Sequence, residues 1–389
     1  MRIAGSSLFV LILSVGCGAE NIGEIASGPI PGQGEVELLP ATMTAGERVG
    51  KADGFDPRDN YPEYYGFTAP PSQEVVLPGE FEAAERMLIG WAPSAYQLSD
   101  FFAEMVASAS EAIPVTVYVQ TQAQADAVYS DLAYAGANLD AVNFAGANLD
   151  SIWIRDYGPM VVKNEFGPGK LSVDGRYYWG RWQDDYFPTI YAEDYGTGLT
   201  RPPLEIEGGN LLADGTGKCV TTEFLLEQNG SAFGYGQSQV AEILDDYYGC
   251  DQTTFVPPLY GEGTGHVDIL THVTGPGQIL VGQYSNGQDS INAQRLDTAA
   301  ARLQAAGWQV TRLPMPSNSG RQVWRTYTNG LAVNGAVLVP VYDESSASES
   351  QALNIFASAY PGRTIIPVDS DEIIYWSGAI HCVTMTVGQ

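Results

Sequence analysis

The sequence predicts an α/β propeller of five ββαβ-type blades, folded as a single domain over residues 72–389. Three observations carry this expectation. A pattern in which an amphipathic helix runs through a Gly or Pro break into a short β-rich strand recurs five times. Strand–turn–strand stretches with hairpin residues in their turns lie between these instances. The last strand of the chain has an available partner in the first, which would close the ring.

In chain order, residues 1–17 ("MRIAGSSLFVLILSVGC") pair one basic residue, Arg2, with an apolar run too short to span a bilayer as a helix. They read as a signal peptide, and the "SVGC" ending resembles a bacterial lipoprotein signal with Cys17 as the lipidated residue. The expectation is export, to the cell envelope or beyond, with membrane attachment through Cys17. Residues 18–71 are rich in Gly, Pro and Glu without sustained periodicity and read as a flexible linker. The five helix–strand units follow: "FFAEMVASASEAIPVTVYV", "QADAVYSDLAYAGANLDAVNF", "SQVAEILDDYYGCDQTTFVPP", "AARLQAAGWQVTRLP" and "QALNIFASAYPGRTIIPV". The hairpins are "IWIRDYGPMVVKNEFGPGKLSV", "GGNLLADGTGKCVTTE", "HVDILTHVTGPGQILVGQY" and "TNGLAVNGAVLVPVY", with a fifth if "AIHCVTMTV" pairs with "RMLIGWA". The echo "AGANLDAVNFAGANLD" is too short for a solenoid and reads as a helix end and a strand. An open doubly wound sheet fits less well, because hairpins imply antiparallel pairs and no GxGxxG is present.

Charge narrows the partners. With 46 Asp and Glu against 18 Lys and Arg, the net charge is −28. That field repels nucleic acid and attracts small cations or basic peptides. Of the four cysteines, Cys219 and Cys250 form the simplest disulfide in an oxidising compartment once Cys17 is set aside, leaving Cys382 free. Closing that loop would contribute roughly 3–4 kcal/mol in the chain-entropy picture.

A polar residue opens each hairpin in an otherwise apolar setting: Asp156, Glu207, His266 with Asp268, Asn329, and Cys382. Charges so placed are costly unless they converge and pair. Convergence at the propeller axis would gather carboxylates, an imidazole, a thiol and an amide. A zinc site lacks its usual CxxC or HxxxH spacing, with only three histidines in the chain. A papain-like protease would leave the extra carboxylates without a role. Attack on a guanidinium uses every member of the set. Two carboxylates can clasp the planar cation, a thiolate can attack its carbon, and a histidine can protonate ammonia and activate water.

The motifs "WIRDYGP", "EGGN", "GHVD", "Y-x-N…NGAVLVP" and "GAIHC", in that order, resemble those of the agmatine deiminase and Porphyromonas-type peptidylarginine deiminase family, pentein-fold enzymes that modify guanidino groups. The resemblance runs from about residue 80 to the end. It implies Cys382 as nucleophile, His266 as general acid and base, Asp156 and Asp268 as the guanidinium clasp, and Glu207 as the acid orienting the histidine. Asn329 and Trp153 would contact substrate, and His272 and His381 have no implied role. No metal or organic cofactor is implied. The product would be a ureido group plus ammonia, formed through an amidino-thioether on Cys382.

For the substrate, the segment "VDGRYYWGRWQDD" keeps Arg181 where peptidylarginine deiminases bind a terminal carboxylate, with Trp179 near the second such position. The sequence therefore favours a peptide ending in arginine. Agmatine, giving N-carbamoylputrescine, is the alternative, and a non-catalytic surface binder of arginine-bearing ligands is a third reading.

Overall fold

The computed structural model describes residues 38–44, 46–47 and 61–389, apart from 166, 168, 317, 319–322 and 344–345. The signal-peptide and Cys17 expectations lie outside the described residues. The fold is mixed α/β, and among the described residues the strands form five separate sheets.

The first sheet runs Met385–Gly388, Ala84–Gly90, Val115–Val119, Val142–Gly146. The chain's last strand is antiparallel to Ala84–Gly90, with Met385 opposite Leu88, and the remaining pairs are parallel. The C-terminal strand therefore meets the early strand, as expected. The second sheet runs Val75–Val76, Met160–Asn164, Lys170–Val173, Gly198–Thr200. Three further sheets share one plan. Leu212–Ala213, Thr271–Gly275 and Leu331–Val333 each pair antiparallel with the strand that follows. That middle strand then pairs parallel with a strand delivered by a helix: Gln252–Val256, Gln309–Pro314 and Thr364–Asp369 respectively. Middle strands such as Ala336–Val341 are apolar and almost wholly buried, which suits a strand covered on both faces.

One part of the expected plan is corrected. The helix–strand pairs number six among the described residues, and two of them, ending in Val115–Val119 and Val142–Gly146, serve the same sheet. The sixth is Trp182–Tyr195 with Gly198–Thr200. It escapes a periodicity reading because its helix contains Pro188 and buries Asp184 and Asp185 alongside aromatics, blurring the apolar face. Its strand is only three residues long.

The flexible-linker expectation fails where the chain is described. Leu38 and Ala41 are fully buried. Tyr65 donates to the Trp182 carbonyl, and the Thr68 amide donates to the Arg201 carbonyl. Cys219 and Cys250 form a disulfide, 5.5 Å between Cα atoms. It ties the middle strand Lys218–Thr222 to the chain entering its parallel neighbour Gln252–Val256. Cys382 is the free cysteine among the described residues, and it is buried.

Candidate active site

Each residue singled out at a hairpin opening lies in a loop or single turn just ahead of a strand. Asp156 sits in the short turn Ile154–Tyr157, before Met160–Asn164. Glu207 precedes the 3-10 turn Gly208–Asn210, and the Asp268 amide donates to the Gly209 carbonyl. Cys382 lies in the 3-10 turn His381–Val383, before the last strand. Just upstream, Ser377 takes a left-handed φ of 75°, a conformation that non-glycine residues adopt rarely. Asn329 receives the chain beyond it. Its Oδ1 accepts from the Ala379 and Cys382 amides at 3.1 and 3.4 Å, and its Nδ2 donates to Cys382 Sγ at 3.2 Å.

These residues do meet. His266 Nε2 is 3.1 Å from Glu207 Oε2, and its Nδ1 is 3.5 Å from Asp156 Oδ1. Glu207 is fixed from outside by the Tyr178 hydroxyl at 2.7 Å and Gln228 Nε2 at 3.1 Å. Cys382 Sγ lies 3.7 Å from Asp268 Oδ2. Gly209 has to be glycine, since a Cβ there would stand 2.7 Å from His266 Nδ1 and 2.8 Å from Asp156 Oδ1. Cys382, His266, Asp156, Asp268 and Glu207 are each at most 3% exposed.

Such burial makes each charge a question of pairing. Neither oxygen of Asp156 nor Oδ1 of Asp268 accepts a well-formed hydrogen bond among the described residues. Buried acceptors without donors are costly, so these oxygens suit a ligand that brings N–H groups to them. Burial, with the Glu207 and Asp268 charges, pushes the Asp156 carboxyl up to about 7 despite the opposing pull of His266. Burial alone would depress His266, yet the carboxylates of Asp156, Glu207 and Asp268 outweigh it and push the imidazole up to about 10. Burial, reinforced by Asp268 and Asp156, also holds the Cys382 thiol well above its ordinary range. The ligand atoms of Asp156, Glu207 and His266 lie within 4.8 Å of one another, a spacing that suits a shared cation, inorganic or organic.

His381 has a place that the sequence did not reveal. Its Nδ1 faces Asp268 Oδ2 and its Nε2 faces Glu80 Oε2, each at 2.7 Å. A ring between two carboxylates must donate from both nitrogens. Burial and the nearby Arg155 oppose that charge, but Glu80 and Asp268 win and raise its pKa. Arg155 closes the chain by pairing with Glu80 at 2.5 Å and donating to the His381 carbonyl. Glu80 lies 301 residues from His381 and in no motif, and the pairing of Ala84–Gly90 with the last strand brings them together. His272 is structural, bonded to the Thr328 carbonyl and the Tyr360 hydroxyl and pushed down to about 4 by burial.

Three expectations shift. Asn329 gives its side chain to the Cys382 turn and so holds the thiol. Trp153 is fully buried. A Cβ on Gly378 would lie 2.4 Å from its ring and 3.2 Å from Cys382 Sγ, so the indole does flank the thiol. Arg181 is fully buried and taken up internally. Its Nε donates to Glu47 Oε1 at 2.7 Å, and its Nη2 donates to Glu47 Oε2 and to the carbonyls of Pro40 and Thr42. It therefore offers no open fork to a substrate carboxylate. The carboxylates of its neighbours Asp184 and Asp185 accept from the backbone amides of Asp150 and Tyr177. Trp179 is half-buried, and its indole N–H meets no acceptor among the described residues.

The profile of the Porphyromonas-type peptidyl-arginine deiminase family matches residues 76–387. The chain belongs to that family. It is thus a hydrolase acting on the C–N bonds of guanidino groups, as its relatives are. A Vibrio parahaemolyticus protein assigned as an agmatine deiminase is 29% identical over 271 residues, covering 60% of this chain and 75% of the relative. The solved agmatine deiminase of Enterococcus faecalis superposes with a TM-score of 0.72 at 22% identity, covering 86% of this chain and 98% of that one. That of C. jejuni, in a cysteine-to-serine form with substrate bound, gives 0.71 at 20% identity, covering 81% and 96%. At such identities the two structures speak to the fold, and the pentein fold of the deiminases is the one this family member adopts.

Proposed function

We propose that this deiminase acts on a small free guanidine, agmatine above all, releasing ammonia and N-carbamoylputrescine. The observation that carries the reading is a buried site with three carboxylate oxygens lacking donors beside a thiol and an imidazolium. A guanidinium supplies the missing N–H groups and the positive charge together. Two further points favour agmatine over the peptide ending in arginine that the sequence favoured. Arg181 is already engaged by Glu47, and the relatives named above carry the agmatine deiminase name. The net charge of −28 also attracts a dication. We also read the five sheets as blades of a propeller closed by the pairing of Met385–Gly388 with Ala84–Gly90, its axis passing through the site.

In the proposed mechanism, guanidinium bound by Asp156 and Asp268 offsets the negative field that keeps Cys382 protonated, and the thiol gives up its proton to solvent. The thiolate forms a C–S bond to the guanidine carbon. His266, carrying a proton in the free enzyme, protonates one amino group, whose C–N bond breaks to release ammonia. An amidino-thioether remains. Neutral His266 then takes a proton from water, whose oxygen bonds to the same carbon, and the C–S bond breaks as the hydroxyl proton passes to the sulfur, giving the ureido product and the Cys382 thiol.

The test is ureido formation from agmatine as a function of pH. Asp156 carries a proton below about 7 and cannot then serve as an anionic clasp, whereas agmatine stays dicationic throughout. Accordingly kcat/KM should rise steeply with pH up to about 7, more gently above it where only the thiol proton is still to be lost, and fall once His266 loses its proton near 10. A complete absence of ureido product at every pH overturns the reading. A profile flat from pH 5 to 8 removes Asp156 from it.

A further inference from the structure

So buried a site needs a route for substrate, and a short piece of chain lies against its wall. Residues 38–44 and 46–47, here called the strap, string together three parts of the site wall. Trp153 Nε1 donates to the Leu39 carbonyl at 2.8 Å. The Ala41 amide donates to the Trp376 carbonyl at 3.0 Å, and the Tyr178 hydroxyl reaches the Ala41 carbonyl at 3.3 Å. Trp153 flanks the Cys382 thiol, Trp376 leads into the Cys382 turn, and Tyr178 bonds Glu207. The strap thus lies across the thiol side and the imidazole side of the site at once.

Its attachment is mainly polar. Only Leu38 and Ala41 bury their side chains fully. The main fastening is Arg181, which grips the Pro40 and Thr42 carbonyls and both oxygens of Glu47. Glu47 is preset for that grip, accepting from the Thr44 amide at 2.6 Å. Burial opposes its charge, but Arg181 prevails and holds its carboxyl below the usual range. A segment with few buried apolar contacts and one concentrated ionic fastening is the kind that opens at low free-energy cost.

We propose that the strap is a specificity-determining cap over the guanidine site, latched by Glu47 on Arg181. It lifts to admit substrate and, when closed, encloses a small free guanidine but leaves no passage for a polypeptide. This deepens the deimination reading and rests on it for the identity of the ligand. Arg181, which sequence motifs alone would place against a substrate carboxylate, acts here as the catch of the cap.

The latch can be locked covalently. A Cβ built on Gly180 lies 3.6 Å from the Glu47 Cβ, within the separation a disulfide spans. The Glu47→Cys/Gly180→Cys protein is to be compared in oxidised and reduced form, with the wild type treated identically. Two readouts are taken: alkylation of Cys382 by iodoacetamide, located by peptide mass spectrometry, and ureido production from agmatine. If access runs through the lifted strap, oxidation slows both by about tenfold or more and reduction restores them. Equal Cys382 alkylation in the two forms overturns the cap. Gated alkylation without ureido product in either form keeps the cap and strikes the deimination reading instead. A second variant guards against misfolding of the first. Glu47→Gln keeps the side-chain shape but weakens the latch, and should speed Cys382 alkylation about tenfold. An unchanged rate in this variant also counts against the cap.

Discussion

Cys382→Ser is expected to lower kcat for guanidine hydrolysis by more than about a thousandfold. An alcohol has no accessible anion at neutral pH, and no neighbour here could generate one. His266 already carries a proton, and the adjacent Asp268 and Asp156 charges oppose a second anion. Thiol differs because it ionises far more readily than an alcohol, and the proposed guanidinium charge favours that ionisation. The substitution is close to isosteric, and Asn329 Nδ2 can donate to the new hydroxyl as it does to Sγ. The melting temperature should therefore stay within a few degrees of wild type while agmatine still binds. Retention of even a tenth of wild-type turnover would remove Cys382 from the nucleophile role.

The clasp gives the second large effect. Asp156→Asn and Asp268→Asn should each reduce kcat/KM by about two to almost four orders of magnitude, the loss of about 3–5 kcal/mol expected when a desolvated charge partner disappears. The two should differ in character. Asp156→Asn removes the carboxylate closest to His266 Nδ1, so the imidazole loses part of what holds its proton and the alkaline limb moves to lower pH. Asp268→Asn disturbs His381, because the amide can offer its N–H₂ to a ring that also donates. That variant should lose stability as well as activity, read as a lower melting temperature. Near-normal kcat/KM in either variant would make that carboxylate structural only.

Local chemistry made much of this legible in the chain. Turn residues such as the "GPG" and "DG" pairs fixed the hairpins, and β-branched runs such as Val115–Val119 marked buried strands. Polar residues at the start of apolar strands pointed to convergence because isolated buried charge is expensive. The hidden parts depend on distance along the chain. Glu80 reaches His381, Tyr178 reaches Glu207 and Glu47 reaches Arg181 across separations of 301, 29 and 134 residues. Arg181 shows the limit best. A lone cation beside the site strand reads equally as a substrate fork or as a structural pair, and its carboxylate partner lies in a Gly- and Pro-rich stretch without periodicity. The helix Trp182–Tyr195 was hidden for a different reason, since its buried carboxylates and internal proline erase the amphipathic signal.

The most direct test of the whole account is a comparison of kcat/KM for agmatine and for a peptide ending in arginine, measured side by side as ureido product. With Arg181 committed to Glu47 and the site enclosed by the strap, agmatine should be preferred by about a hundredfold or more. A peptide processed as well as agmatine, or better, would contradict both the small-guanidine assignment and the closed pocket on which it rests.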